Sequence, residues 1–459
     1  MQIVILGAAE SGVGAALLAQ AKGHAVFVSD GGSIKPAYKQ KLTQAGIRFE
    51  ENQHTLDEIL RADEVVKSPG IPEKAPIIQA LRAKGTPIIS EIELAGRYTQ
   101  AKCICITGTN GKTTTTLLTY HLLKEAGMSV GLAGNVGYSL AEQVIEDKHD
   151  YYVVELSSFQ LDDTHNFAPW LAILLNITPD HLDRYGYSLE NYAAAKMRVA
   201  RNVSGCFIYN AGDPETRKAV AASGAEKNAL AFDQQFDGHT GENLAAWYGQ
   251  DGTLQLHLPE WAQSRVDSVN VANSPLIGQH NQQNMAAAIL AARVVGLSPE
   301  QIEQGLVSFK NAPHRLQLVG EVNGVKFIND SKATNVEAAW FALDGVQQPI
   351  VWIAGGTDKG NDYTSLLPLA KQKAKALICL GVDNEKLKAS FGIVVPHLEE
   401  TQSVETAVRR AAELAAPGDV VLLSPACASF DLFKNYEDRG QQFAAAVEKL
   451  SQEKSVPSA

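Results

Sequence analysis

Cys103-Ile104-Cys105-Ile106-Thr107-Gly108-Thr109-Asn110-Gly111-Lys112-Thr113, followed by Thr114 and a helix-forming run, is the stretch that decides the fold. An apolar strand ends in two closely spaced glycines, and a helix begins at once. Glycines let successive backbone N–H groups face phosphate oxygens, Lys112 adds a point charge near the terminal phosphates, and Thr113 offers a hydroxyl to Mg2+. A strand, loop and helix of this kind belong to a parallel α/β layer, where ligands gather at the carboxyl ends of the strands. The full phosphate-loop pattern has a glycine at position 106, where this chain has Ile. What remains predicts that Gly108, Thr109, Asn110, Gly111, Lys112, Thr113 and Thr114 cradle a nucleotide phosphate, with a chance loop as the alternative.

Working downstream, Tyr151–Leu156 reads as a buried strand that delivers Glu155 to the same edge of the sheet. A carboxylate there suits magnesium, a hard cation that prefers oxygen ligands; a capped or salt-bridged surface glutamate is the alternative. Another apolar strand, Leu171–Asn176, leads to Thr178-Pro179-Asp180-His181, so His181 falls at the same end, where it can equally be structural. The helix predicted from Leu189 to about Asn202 carries Lys196 among Ala193, Ala194, Ala195, Met197 and Val199. Apolar company disfavours the charged form of a lysine, whereas a lysine that snorkels to solvent escapes that effect.

Upstream, strand Ile3–Leu6 enters the glycine turn Gly7-Ala8-Ala9-Glu10-Ser11-Gly12-Val13-Gly14 and an Ala/Leu-rich helix. Such a turn lets backbone N–H groups reach a phosphate, and Asp30, closing the next strand, stands where an acidic residue meets a ribose hydroxyl. Ala9 replaces the middle glycine of the usual pattern, so a βα turn without a ligand and a nicotinamide oxidoreductase both remain open. Beyond about Ala312-Pro313, strands at Lys326–Asn329, Ile350–Ala354, Ala376–Leu380 and Val420–Leu423 form a third block. Polar loops at Asp330–Asn335, Gly355–Gly360 and Ser424–Phe430 each follow one of these strands and can converge on one crevice. Thr334 with Glu337 fits a capping box that would start a helix.

With 459 residues the chain has room for two to four domains of about 100–200 residues. A formal charge of −11 repels a phosphate backbone, so nucleic acid is not an expected partner. No uncharged apolar run approaches the roughly 18 residues of a membrane helix, and no basic or long apolar segment precedes the first strand, so neither a membrane nor a secretory signal is expected. Five cysteines without a CxxC pair read as reduced and mostly buried thiols of a cytoplasmic protein.

GTNGKT (108–113), ELSSFQL (155–161), TPDHLDRY (178–185), AAAKMRVA (193–200), GQHNQQN (278–284), PHRLQ (313–317), NDSKATN (329–335), GGTDKG (355–360) and SPACASFDLFKNYEDRG (424–440) run in one order along the chain. In that order they resemble the Mur ligase family, and the resemblance spans essentially the whole chain. It implies an α/β fold of three domains: a Rossmann-like UDP-substrate domain (1–92), a central P-loop ATPase-type domain (93–311) and a C-terminal Rossmann-like amino-acid-binding domain (312–459). The implied reaction is ATP-dependent ligation of D-glutamate to UDP-N-acetylmuramoyl-L-alanine through an acyl phosphate, a cytoplasmic step of peptidoglycan precursor synthesis by a monomer. The DNPR-type motif of relatives that add diaminopimelate or lysine is missing from this sequence. A protein that binds ATP without turnover is the non-enzymatic alternative, but it gives the distal loops no task.

By the same resemblance, Lys112 is catalytic, and Thr113 and Glu155 hold a first Mg2+. His181 and Lys196 serve a second, with Lys196 at the position that the family modifies to a carbamate. Asn281, Asn284, Arg315 and Asp330 match contacts to adenine and ribose. Glu10, Ser11, Asp30, Asn135 and Ser157 match the side that binds the UDP substrate. Lys332, Thr334, Lys359, Ser429, Phe430 and Tyr436 match the side that binds D-glutamate. Position 31 is Gly, where the family often offers a hydroxyl to the uracil.

Overall fold

The computed structural model of the chain describes residues 1–226, 228–234, 243–262, 265–276 and 278–455. Three sheets follow one another along it, one in each α/β block that the sequence predicts. The first is entirely parallel: β1 (Gln2–Leu6), β2 (Ala25–Asp30), β3 (Arg48–Glu51), β4 (Glu64–Lys67) and β5 (Ile88–Ile89), in the order β3-β2-β1-β4-β5. The chain leaves β1 towards one side and returns on the other, which opens a crevice at the carboxyl ends. Gly7, at φ 89°, turns the chain there, and a Cβ on Gly12 would lie 1.9 Å from the Gly7 carbonyl oxygen. The helix Glu10–Ala21 therefore packs against the strand end only because position 12 has no side chain.

The second sheet contains β6 (Lys102–Thr107), β7 (Val130–Gly134), β8 (Tyr151–Glu155), β9 (Leu171–Leu174), β10 (Cys206–Asn210), β11 (Ala229–Phe232), β12 (Leu244–Tyr248), β13 (Leu254–Leu258) and β14 (Arg265–Val269). Among the described residues its order is β14-β13-β12-β11-β10-β9-β6-β8-β7, parallel from β7 to β12 and antiparallel through β13 and β14. Inside the sheet β6 lies between β8 and β9, so three strands that the sequence marks as bearing site residues are neighbours. Of the stretch 234–268, for which the sequence suggests no role, residues 235–242 and 263–264 lie outside the described residues.

In the third sheet, β15 (Gln317–Val322), β16 (Val325–Asn329), β17 (Ile350–Ala354), β18 (Ala374–Leu380), β19 (Leu398–Thr401) and β20 (Val420–Leu423) take the order β15-β16-β20-β17-β18-β19. Only the β15–β16 hairpin is antiparallel. Every residue of β17 and β20 is buried, as expected of strands covered on both faces. Each fully buried Val, Leu or Ile there contributes about 1.5–3 kcal/mol relative to exposure. Trp352 packs edge-on against Phe391, and its Nε1 donates to the Ser424 carbonyl (2.8 Å), tying the core to a site loop.

The chain divides into two compact units, residues 1–274 with 283–309 and residues 275–282 with 310–459. The five cysteines are buried and unbridged. Among the described residues no helix is long and apolar enough to cross a membrane. One local expectation is corrected: the helix Val336–Gly345 is capped by Asn335, whose side chain accepts from the Ala338 N–H (2.8 Å), not by Thr334. Asparagine is as good an N-cap as threonine, and the chain takes the one that leaves Thr334 in the preceding loop.

Candidate active site

The phosphate loop joins β6 to the helix Lys112–Glu125. Gly111 caps that helix at φ 82°, and a Cβ there would meet Asn284 Oδ1 at 2.1 Å, so the buried Asn284 side chain presses directly on the loop. Asn284 also accepts from the Thr115 hydroxyl (3.3 Å), while Thr114 is buried beside it in the chain and Thr113 is half-buried. The Thr109 and Asn110 N–H groups both donate to Asn176 Oδ1 (3.0 and 2.8 Å). The Thr109 hydroxyl donates to the Thr178 carbonyl and accepts the Thr178 N–H (3.1 and 3.0 Å). Lys112 Nζ donates to the carbonyls of Gly108 and Thr109 (2.8 and 2.7 Å), which holds its charge over the loop. A helix N-terminus preceded by such a loop favours an anion.

Glu155, 1% exposed at the end of β8, accepts from Asn135 Nδ2 with one oxygen (2.6 Å). Its other oxygen, Oε2, is buried and has no hydrogen-bond partner. A buried carboxylate oxygen left unpaired is unfavourable by itself and is suited to a hard cation. Among the described residues no group of three or more His, Cys, Asp or Glu could hold a metal unaided. Magnesium does not need one, because it takes one or two carboxylates together with phosphate and water oxygens. Ser157, next along the chain, is the N-cap of the helix Ser158–Asp162 in a capping box with Gln160.

Lys196 does not snorkel. It is 1% exposed, its Nζ donates to the Gly108 carbonyl (2.7 Å), and it lies 4.5 Å from the centre of the Tyr192 ring. Burial, reinforced by the nearby Lys112 charge and opposed by Asp180, holds its pKa well below that of an ordinary lysine. Lys112 and Lys196 thus meet on one loop carbonyl. His181, with its side chain 55% exposed, heads the short 3-10 turn Leu182–Tyr185 and packs edge-on against Phe159. Phe159 stacks on Tyr185, and Tyr185 touches Tyr192, so a row of rings links His181 to the bed of Lys196.

At the carboxyl edge of the first sheet, Asp30 accepts the Ala8 N–H with Oδ2 (2.6 Å) and the Gly32 N–H with Oδ1 (2.8 Å), binding the first two βα turns together. Glu10, exposed, and Ser11, half-buried, open the helix beside them.

In the third sheet the expected convergence of three loops is achieved by Arg439, a residue to which the sequence reading gave no role. Its guanidinium, 1% exposed, donates to the Ser331 hydroxyl (3.0 Å) and carbonyl (2.9 Å), the Gly355 carbonyl (3.2 Å) and the Cys427 carbonyl (3.3 Å). Burial lowers its pKa to about 10, against the opposing pull of Cys427, Asp431 and Asp330. One side chain therefore pins the loops that carry Lys332, Lys359 and Ser429. Lys332 Nζ lies 3.8 Å above the Tyr436 ring, whose backbone carbonyl accepts from the Ser331 hydroxyl (2.8 Å). Thr334 is half-buried, Ser429 is buried, Lys359 is exposed, and Phe430 is 69% exposed. Asp330 accepts from the Leu316 N–H and the Ser424 hydroxyl (3.1 and 3.0 Å); burial raises its pKa to about 7 despite those bonds and the Arg315 and Arg439 charges. Arg315 is half-buried near that loop, and Asn281 is buried in the first turn of the helix Gln279–Val295.

Comparison with known proteins matches three family descriptions in turn: a Mur ligase MurD-like N-terminal domain over residues 1–90, a Mur ligase middle domain over 106–292 and a Mur ligase glutamate ligase domain over 314–427. The chain belongs to the Mur ligase family. This Mur ligase is 51% identical over 453 residues to the UDP-N-acetylmuramoylalanine–D-glutamate ligase of Porphyromonas gingivalis, covering 98% of each. It is 50% identical over 452 residues to the enzyme of that name in Bacteroides fragilis, covering 98% of this chain and 100% of the other. The solved UDP-N-acetylmuramate-alanine ligase of Thermotoga maritima shares the fold, with a TM-score of 0.61 at 18% identity over 98% of this chain and 100% of its own. Membership sets aside the oxidoreductase and passive-binding readings. Besides Arg439, the sequence reading missed Asn176 and Thr178, just after a strand, and Tyr192, on the helix that carries Lys196; their visible signal was only their place in or beside the motifs.

Proposed function

We propose that this Mur ligase joins D-glutamate to UDP-N-acetylmuramoyl-L-alanine at the expense of ATP, acting as a monomer in the cytoplasm. The observation that carries the reading is the phosphate loop, where Lys112 and Lys196 share the Gly108 carbonyl and Glu155 keeps one buried oxygen unpartnered. The loop 108–114 holds the ATP phosphates through Lys112 and the N–H groups at the start of the helix Lys112–Glu125, the Thr109 and Asn110 N–H groups being held by Asn176, with Asn281, Asn284, Arg315 and Asp330 on the nucleoside. The substrate carboxylate attacks the γ-phosphorus, and the bond to the β-phosphate oxygen breaks to release ADP. Lys112 stabilises the charge that spreads over the transferring group. The resulting acyl phosphate is attacked at its carbonyl carbon by the amine of D-glutamate; phosphate leaves, the nitrogen loses a proton, and an amide remains.

The residues fit magnesium: Thr113 and Glu155 for one ion, His181 and Lys196 for a second. A neutral buried amine reacts with carbon dioxide to give a carbamate, an oxygen anion where an ammonium would repel the ion. Bound there, magnesium neutralises phosphate charge. The domains of the reading are 1–92 for the UDP substrate, with Glu10, Ser11 and Asp30; 93–311 for ATP, with Asn135 and Ser157 towards the donor; and 312–459 for D-glutamate, with Lys332, Thr334, Lys359, Ser429, Phe430 and Tyr436. The test is phosphate release with UDP-N-acetylmuramoyl-L-alanine and a panel of amino acids. Release should require ATP, Mg2+ and D-glutamate, with L-glutamate and D-aspartate poor. Equal rates with lysine or diaminopimelate would move the chain to another branch of the family.

A further inference from the structure

The six-residue helix Glu91–Gly96 follows β5 and leads into β6, so it joins the first sheet to the second. It carries two buried carboxylates, Glu91 (4% exposed) and Glu93 (1% exposed). Glu91 Oε1 accepts the Ser139 hydroxyl and the Ala141 N–H, both at 2.7 Å. Glu93 Oε2 accepts the N–H groups of His165, Asn166 and Phe167 (2.9, 3.0 and 2.8 Å), and Arg97 approaches its other oxygen at 3.8 Å. Burial pushes the Glu91 pKa up against its bonds from Ala141 and Ser139, and the nearby Glu10 adds to the rise. A carboxylate is costly to bury in such a place, so what it fastens matters. Glu93 fastens residues 165–167, none of which belongs to the site. Glu91 differs because of where Ser139 leads.

Ser139 stands four residues after Asn135, and the turn between them is fastened at both ends. At its start the Asn135 N–H donates to the Glu155 carbonyl (2.9 Å) and Nδ2 donates to Glu155 Oε1 (2.6 Å). The Gly134 N–H donates to the Tyr138 carbonyl (3.2 Å), closing the turn on itself. Gly134 (φ 97°) lies so close to β8 that a Cβ there would come within 2.2 Å of the Glu155 carbonyl oxygen. At the far end Ser139 is 3% exposed; its hydroxyl proton goes to Glu91 while its oxygen accepts the Glu142 N–H (3.2 Å). A Cβ on Gly14 would lie 2.0 Å from that oxygen, so the helix Glu10–Ala21 leaves Ser139 no room to shift. The turn that carries Asn135 is thus stretched between Glu155 and Glu91. Asn135 in turn occupies one Glu155 oxygen and leaves Oε2 unpaired.

We propose that Glu91 is a positioning residue for metal binding: by anchoring Ser139 and Ala141 it holds Asn135 on Glu155 Oε1 and so keeps Oε2 free for the ion. Partners behind a metal ligand fix its orientation in this way. The inference rests on the reading of Glu155 as a magnesium ligand. The test is calorimetric titration of the full chain with a non-hydrolysable ATP analogue, alone and with Mn2+ standing in for Mg2+. In the wild type the metal should tighten analogue binding. Glu91→Ala should reduce that gain by roughly three- to tenfold and leave binding of the metal-free analogue unchanged. Glu91→Gln, whose amide oxygen can accept the same two hydrogens, should keep most of the gain. Glu93→Ala removes an equally buried carboxylate from the same helix, and should lose stability in urea without losing the gain. A Glu91→Ala chain with the wild-type gain overturns the inference, as does a Glu93→Ala chain that loses as much of it. Ser139→Ala, which deletes the donor and spares the carboxylate, should lose part of the gain; where Glu91→Ala fails to fold, a wild-type gain in Ser139→Ala overturns the inference. Glu155→Gln should abolish the gain. If it does not, the metal assignment fails together with the inference, whereas a loss in Glu155→Gln alone overturns the inference and leaves the assignment standing.

Discussion

Lys196 donates to Gly108, 88 residues earlier, in surroundings that make an ammonium unfavourable. Apolar neighbours in the sequence hinted at this but could not separate a buried lysine from one that bends out to water. If its task is to carry a carbamate, Lys196→Ala should lower ligation by about a hundredfold or more, with partial rescue by added short-chain carboxylic acids. Lys196→Arg should remain inactive in the same assay, and an active arginine variant would show that positive charge suffices. Asp330 makes a prediction of stability against pH. Its pKa is raised in the fold to about 7, so between the ordinary carboxylate range and about 7 the folded chain holds a proton that the unfolded chain has released. Its contribution to stability is therefore complete at low pH and is lost as pH rises through about 7. Urea titrations from pH 5 to 8 should show the wild type losing stability relative to Asp330→Asn by up to about 1.4 kcal/mol per pH unit. Parallel curves for the two proteins would exclude an elevated Asp330.

Strands and loops differ in how legible they were. β8, β9, β17 and β20 lie inside their sheets and are read from apolar runs, while β16 (VKFIN), also inside, is interrupted by the exposed Lys326. β3 (RFEE), β15 (QLVGEV) and β19 (LEET) form sheet edges, are only partly buried, and carry charges that mask the pattern. The three loops of the third sheet were legible one by one as polar turns after strands. Their joining by Arg439 was not, because the arginine lies on the helix Tyr436–Ser455, far along the chain from two of its partners. Arg439→Lys keeps the charge but loses the planar fork, leaving one or more buried carbonyls unpaired at about 1–3 kcal/mol each. The variant should lose roughly 2–4 kcal/mol in urea unfolding and raise the KM for D-glutamate several-fold, with the KM for the UDP donor unchanged. A lysine variant equal to the wild type in both measurements would show that the loops hold one another without the fork.

At the scale of the molecule, the chain forms two compact units, 1–274 with 283–309 and 275–282 with 310–459. Each has its own sheets and core, so cooperative unfolding should follow the units rather than the whole chain. Calorimetry of the full-length protein should give a calorimetric enthalpy above the van't Hoff value, and a ratio of one would show that the units melt together. The amino-acid order by itself determined the alternation of strand and helix, the phosphate loop and the sequence of motifs that marks the family. These depend on glycine turns and hydrophobic periods within a few residues, where sterics act locally. Tertiary structure alone decided that Lys196 is buried against Gly108, that Glu155 keeps an unpaired oxygen, that Arg439 ties three loops and that Glu91 anchors Ser139 and Ala141. Each of these depends on which distant residue closes a buried hydrogen bond, or on none doing so, and no local pattern specifies a partner brought in from elsewhere in the chain.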